Sequence, residues 1–203
     1  MQSTARPAAR RTLTVLAATA ALALAAPAAA TAAAAPAAGP APAAAAVAQP
    51  RAAGLQANQL WKLRKRDSRY EIVNVHSDLC LMVKGGSRDN GAAVVQNECG
   101  TASEKLWRAE ATDGGTYIQL RNAYSGKCLD ISGGRAYNGA KLIQYDCTGA
   151  LNQKWWDTDG INGDPGFWIS GTTPSGAPTW MCMDNPGWSS TPGTQAAIWQ
   201  CVS

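Results

Sequence analysis

Six cysteines, one histidine and 14 acidic side chains are the groups of this chain from which redox, metal or acid–base chemistry could be built. The histidine, His76, has no second imidazole to work with. The cysteines fall into pairs: Cys80 with Cys99, Cys128 with Cys147 and Cys182 with Cys201, each 19 residues apart. With every cysteine paired, neither a Ser-His-Asp nor a Cys-His arrangement can be assembled. Zinc sites favour ligands about two to four residues apart, with histidine among them. None of these cysteines has such a neighbour, so no metal and no other cofactor is expected. Two carboxylates across a glycosidic bond remain as a catalytic route. The candidates, Asp130 and Asp184, belong to different cysteine boxes and are expected on different faces of the molecule. No enzyme activity is therefore expected.

What these residues do offer is binding chemistry. Tyr145 follows Asp130, and Trp199 follows Asp184, at the same 15-residue separation. A carboxylate accepts strong, charge-assisted hydrogen bonds. An aromatic face, with its negative quadrupole, attracts weakly positive C–H groups. In the first box Met82 and Asn97 stand at the equivalent places, so both partners are lost together. An aspartate before a Gly-rich turn is often only a turn former, and an aromatic on a half-buried strand is usually packing. Neither reading accounts for the two being kept together twice and lost together once.

The elements that must position these groups are repeated. The boxes read Cys80-Leu81-Met82-Val83, Cys128-Leu129-Asp130-Ile131 and Cys182-Met183-Asp184-Asn185. Each runs into a turn (Gly85-Gly86, Gly133-Gly134, Pro186-Gly187), and a glycine recurs 11 residues after the first cysteine, at Gly91, Gly139 and Gly193. Such periodicity marks an internal triplication. If equivalent boxes close equivalently, one of the 15 connectivities open to six cysteines is selected: Cys80–Cys99, Cys128–Cys147 and Cys182–Cys201. Each would close a loop worth roughly 3 kcal/mol in the chain-entropy account.

Short apolar runs between turns predict strands, and no sustained helical period is present. A tryptophan follows the second cysteine by eight residues twice, at Trp107 and Trp155. The third copy lies at the other end of the chain, where Asn58-Gln59-Leu60-Trp61 matches Asn152-Gln153-Lys154-Trp155. That permutation predicts closure, with the segment Asn58 to Trp61 beside the segment ending at Cys201. Four strands per repeat, twelve in all, predict a small closed barrel capped by hairpins, which leaves no sheet edge to template aggregation. Trp61, Trp107 and Trp155 are expected in its core.

Length and charge bound the rest. Residues 1–30 read as a secretory signal peptide, with Arg6, Arg10 and Arg11 before the apolar stretch Leu13 to Ala26. That stretch is too short and Ala-rich for a stable membrane insertion. Arg10-Arg11 leaves both an ordinary and a twin-arginine export route open. Residues 31–57, rich in alanine and proline, are expected to be a disordered linker, leaving residues 58–203 as the folded domain. Paired cysteines and an export signal predict a secreted, extracellular protein. Of 18 basic residues three belong to the leader, leaving 15 against 14 acidic ones. So balanced a chain lacks the electrostatic footprint of a nucleic-acid binder. Lys62, Arg64, Lys65 and Arg66 do cluster, either as a solvated strand end or as a patch for acidic glycans or phosphates.

The Gln-x-Trp repeats, Cys-Leu-Asp boxes and threefold organisation resemble the ricin-type β-trefoil lectins and the similar family 13 carbohydrate-binding modules. The resemblance covers the whole folded region. It implies an all-β trefoil of three pseudo-symmetric four-strand repeats, and a carbohydrate partner, galactose- or xylose-type, bound by a monomer. In that family the site uses the aspartate of the Cys-x-Asp box, the aromatic two residues before the second cysteine, and the asparagine of Asn-Gln-x-Trp. Transferred to this chain, repeat two supplies Asp130, Tyr145 and Asn152, with Gln153 beside them. Repeat three supplies Asp184 and Trp199, with Asn58 and Gln59 from the other end of the chain. The two glutamines are expected to hold loop and backbone behind the site.

Repeat one has Met82, Asn97, Glu104 and Lys105 at these places and is expected to be a structural copy. One departure stands out. The family often has a glutamine four residues before the second cysteine, where Val95, Ile143 and Ala197 stand here. Gln96 and Gln144 come one residue later, on the opposite strand face. Trp180 and Trp188 flank the third box, in a repeat lengthened by an insertion of six residues. They are read as loop packing or as a second aromatic platform beside Asp184. Trefoils also serve as inhibitors, so a protein-binding role through the segment Gly171 to Thr179 is the alternative.

Overall fold

A computed structural model describes residues 54–157, 167–172 and 178–201. The expected leader, most of the expected linker, most of the segment Gly171 to Thr179, and the side chain of Trp168 lie outside the described residues.

Each repeat is built from four short strands. The first has β1 (Trp61–Arg66), β2 (Arg69–Asn74), β3 (Cys80–Val83) and β4 (Val94–Asn97); the second has β5 (Trp107–Thr112), β6 (Tyr117–Asn122), β7 (Cys128–Ile131) and β8 (Leu142–Tyr145). The third has β9 (Trp156–Asp157), β10 (Phe167–Thr172), β11 (Pro178–Asp184) and β12 (Ala197–Gln200). All pair antiparallel with their sequence neighbours inside a repeat. Among the described residues the only helices are single 3₁₀ turns. The molecule is an all-β trefoil, with its strands curled nearly into a barrel.

The cysteine strands β3 and β7 are buried along their whole length, so their runs of apolar residues reflect burial on both faces rather than alternation. The three disulfides join Cys80 to Cys99, Cys128 to Cys147 and Cys182 to Cys201, each within its repeat, as the repeat logic requires.

The recurrent glycine has a specific task. Gly91 N donates to Gln144 O, Gly139 N to Ile198 O and Gly193 N to Gln96 O, each at 2.8 Å. Repeat one is thereby bonded to two, two to three, and three to one. All three glycines have positive φ, between 83° and 90°, a region that an L side chain enters only with strain.

The repeated tryptophans close the same circle. Each opens one repeat and donates its indole N–H to the cysteine box of the preceding one: Trp107 to Leu81 O at 2.9 Å and Trp155 to Leu129 O at 3.5 Å. Trp61, at the start of the described domain, donates to Met183 O at 3.1 Å in the last repeat. All three are fully buried in one cluster with Leu81, Leu129, Met183 and their neighbours.

Closure differs in form from the strand pairing expected. Ala57–Gln59 is a 3₁₀ turn, and β1 begins only at Trp61. No ladder joins this segment to β12 among the described residues. The ends meet instead through Asn185 N to Asn58 O at 2.9 Å and Gln59 Nε2 to Gln200 O at 3.1 Å. The turn frees the Asn58 and Gln59 side chains to reach across, as a paired strand would not. Packing also starts before residue 58: Leu55 is buried against Cys182, in a small cluster that takes in Trp156 and Trp180. The two indoles meet edge to face at 4.7 Å.

Candidate functional site

Asp130 lies on β7 with Ile143 directly opposite and Tyr145 two pairs along, facing Cys128. Residues two apart on a strand share a face, so the carboxylate and the phenol project to the same side. The amides come from the one-turn helix Leu151–Gln153. Asn152 Nδ2 donates to Asp130 Oδ1 at 2.9 Å, and Gln153 Nε2 to Oδ2 at 2.7 Å. Gln153 is itself pinned, since Nε2 also donates to Asp146 O at 2.8 Å and Oε1 accepts from Thr148 N at 2.9 Å. It orients the aspartate and ties the loop. Tyr145 stays 43% exposed, as a platform must.

The third repeat builds the same arrangement from both ends of the domain. Asp184 on β11 faces Ala197, and Trp199, 43% exposed, faces Cys182. Asn58 Nδ2 donates to Asp184 Oδ2 at 2.9 Å, and the Gln59 side chain hydrogen-bonds the same carboxylate. Asp184, Asn58, Gln59 and Trp199 line a cleft of about 230 Å³, together with Gln56, Pro186, Gly187 and Trp188.

The first repeat keeps the scaffold and drops the chemistry. Met82 is buried opposite Val95. Lys105 Nζ donates to Glu98 O at 2.8 Å, the counterpart of the Gln153 bond to Asp146 O. A lysine there holds the loop, and Met82 stands where the other repeats have the aspartate.

Gln96 and Gln144 lie on the face away from Met82 and Asp130 and are fully buried. Gln96 Nε2 donates to Ser189 O at 2.7 Å, and Gln144 Nε2 to Ser87 O at 2.9 Å and Asp89 O at 3.0 Å. They staple one repeat to the next. Opposite the two site aspartates the partners are Ile143 and Ala197, so no amide of that strand joins either carboxylate.

Of the basic cluster, Arg64 and Arg66 both donate to Glu71 Oε2, at 2.6 and 2.7 Å. The pair shares one buried carboxylate. The features that reading the sequence missed are the roles of Asn74 and Asn122. Their buried Nδ2 groups donate to Asn58 O at 3.0 Å and Glu104 O at 2.9 Å. Their signal was present: each stands six residues before a box cysteine.

Burial raises the pKa of both site aspartates. For Asp130 it outweighs the bonds from Gln153 and Asn152. Asp184 is pushed up to about 6, against the opposing Gln59 hydrogen bond and the charge of Lys141. Between the ordinary value of 3.8 and about 6 the folded state then holds a proton that the unfolded chain has released. Asp184 therefore contributes stability at low pH that is lost as pH rises through this window. An Asp184→Asn variant is expected to flatten this slope of unfolding free energy between about pH 4 and 6. Denaturant titrations across that range check it, and an unchanged slope refutes it.

Three repeats cyclically bonded, with an aspartate–amide–aromatic group in two of them, define a trefoil binding domain. The chain belongs to the ricin-type β-trefoil lectin domain-like family, whose model matches residues 13–97, 57–145 and 103–199. The successive matches overlap, as an internal repeat demands. No curated protein matches the sequence.

Among solved structures, a designed three-fold symmetric protein, ThreeFoil, is 27% identical, with a TM-score of 0.55 over 66% of this chain and 90% of that one. An exo-β-1,3-galactanase from Clostridium thermocellum is 30% identical, with a TM-score of 0.54 over 66% of this chain but 28% of the enzyme. The match spans about a quarter of that protein. The Rhizoctonia solani agglutinin, 17% identical with a TM-score of 0.52 over 68% of this chain and 89% of that one, shares the fold. Among the described residues no helix is long and apolar enough to cross a membrane.

Proposed function

We propose that residues 58–203 form a secreted, non-catalytic lectin module that binds neutral galactose- or xylose-type sugars through repeats two and three. One observation carries this reading. Two repeats place a buried, amide-braced aspartate beside a half-exposed aromatic, and the remaining repeat replaces every member of that group. A sugar ring matches it, with hydroxyls to donate to the carboxylate and a C–H face to lie on the aromatic. Family membership supports carbohydrate as the partner, and the resemblance to a region of a galactanase favours galactose-type units. The expected leader and linker are in keeping with an exported module. Its disulfides suit an extracellular setting.

A single shallow site of this kind is weak, on the order of millimolar, because each new contact replaces a well-made hydrogen bond to water. Two sites on one body raise avidity for a polymer by about 10²-fold or more when their spacing fits. A glycan array combined with pull-downs on insoluble polysaccharides tests the proposal. Retention on a galactan or xylan is expected, and unchanged retention by Met82→Ala. Loss of retention in Met82→Ala, or failure to bind any glycan, overturns it and favours a protein partner.

Asp184 adds a pH signature. Only its ionised form offers the full acceptor strength that hydroxyls need. In an Asp130→Ala variant, where repeat three alone has a site carboxylate, sugar binding is expected to weaken as pH falls through about 6. Binding that is level from pH 7 to about 4.5 refutes this.

A further inference from the structure

The two sites are not copies of each other. Six residues after its first cysteine the first repeat has Gly86 and the second has Gly134; the third has Trp188. All three positions have positive φ, of 61°, 71° and 54°. The glycines adopt that region freely, whereas for a bulky L residue it costs on the order of 1–3 kcal/mol. Among the described residues the other non-glycine positions with positive φ are aspartates, which tolerate the region through local hydrogen bonds. Burial does not account for the tryptophan either, since Trp188 is 45% exposed.

The strained residue is nevertheless held in place. Pro186 begins its turn, and Trp188 N donates to Asn185 O at 3.3 Å. His76, from the first repeat, lies 2.9 Å through Nε2 from the Trp188 carbonyl, to which it donates. The imidazole also meets the indole edge to face, at 5.0 Å and 85°. A braced, half-exposed indole in an unfavourable backbone region lines the same cleft as Asp184 and Trp199. At Gly134 an added Cβ would meet nothing within 4 Å, so the second repeat has open space at the position that Trp188 holds in the third.

We propose that Trp188 gives the third repeat a second sugar subsite, so that this cleft takes two consecutive rings of a glycan where the second repeat takes one. The inference rests on the lectin reading above. A ring whose hydroxyls reach Asp184 lays its one C–H face on Trp199. A second aromatic wall needs a C–H face of its own, and the next ring of the same chain supplies it. The cleft, about 230 Å³, is smaller than the roughly 300–1,000 Å³ of pockets that engulf a drug-sized ligand. It suits rings laid on open walls rather than an oligomer enclosed along its length.

The test uses the full chain in two backgrounds. Asp130→Ala leaves repeat three as the site, and Asp184→Ala leaves repeat two. Calorimetry or NMR titration compares galactose with β-1,3-galactobiose, and xylose with xylobiose. In the Asp130→Ala background the disaccharide of one pair is expected to bind about tenfold more tightly than its monosaccharide, as a further aromatic contact allows. Adding Trp188→Gly removes that preference and leaves monosaccharide affinity within about twofold. It also leaves the thermal midpoint unchanged or raised, because glycine relieves the backbone. In the Asp184→Ala background no disaccharide preference is expected, with or without Trp188. A preference that survives Trp188→Gly overturns the subsite, as does equal loss of monosaccharide and disaccharide. If neither background binds any of the four sugars while the unsubstituted chain also fails, the lectin reading itself has failed and the subsite falls with it.

Discussion

Replacing Asp130 and Asp184 together by alanine is expected to abolish glycan binding, while either replacement alone is expected to leave monosaccharide binding at the other repeat. A millimolar site is worth about 4 kcal/mol, and hydrogen bonds to a charged acceptor contribute about 1.5–3 kcal/mol each. Removing the one carboxylate therefore takes away most of the affinity of its site. It also releases the asparagine amides bonded to the carboxylate, Asn152 in one repeat and Asn58 in the other. The single variants separate the two sites by another measure. Each is expected to lose retention on polysaccharide by about 10²-fold, because avidity needs both sites at once.

The loss must be distinguished from unfolding. Truncating a buried hydrogen-bonded group leaves its partners unsatisfied, at about 1–3 kcal/mol, so thermal unfolding is followed in parallel. A folded double variant that still binds the parent's glycan refutes the site assignment. In that case the protein-binding alternative gains.

Trp61→Ala is expected to destabilise the domain by about 3–5 kcal/mol, the range for removing a large aromatic from a packed core. Trp61 is fully buried and its indole N–H is bonded to Met183 O across 122 residues of chain. Truncation therefore opens a cavity and strands a buried carbonyl, and it does so at the joint between first and last repeats. Against a total stability of about 5–15 kcal/mol, such a loss shifts the denaturant midpoint far. The intact disulfides close loops only within repeats, so none of them substitutes for this joint. Deleting residues 1–61 should be at least as damaging, since it also removes Leu55, Asn58 and Gln59. A Trp61→Ala midpoint close to that of the parent would refute closure through this residue.

The same pair of arguments explains which features could be read without coordinates. Cys80, Cys128 and Cys182 recur with their partners at one fixed interval, and repetition converts a local spacing into a statement about three-dimensional equivalence. Asn58 could be assigned to the third repeat for that reason alone, although Asp184 lies 126 residues away. Met82 and Asn97 likewise marked repeat one as a copy expected to lack the site chemistry. The form of closure was a different matter. Nothing in Asn58-Gln59-Leu60-Trp61 distinguishes a strand from a 3₁₀ turn, because four residues carry too little periodicity to decide.

By itself, then, the sequence determined the triplication, a closed barrel of short repeated strands, the cysteine pairing and the residue types offered by each repeat, all of which follow from pattern and spacing, while the family resemblance implied the trefoil. Tertiary structure alone decided what surrounds those residues. It buried Asp184 until its pKa rose to about 6. It turned Gln96 and Gln144 into staples between repeats. It also stood Trp188, braced by His76 from 112 residues away, in the cleft with Trp199. Desolvation and contacts between repeats depend on distances in space, and a linear pattern holds that information only where the chain repeats itself.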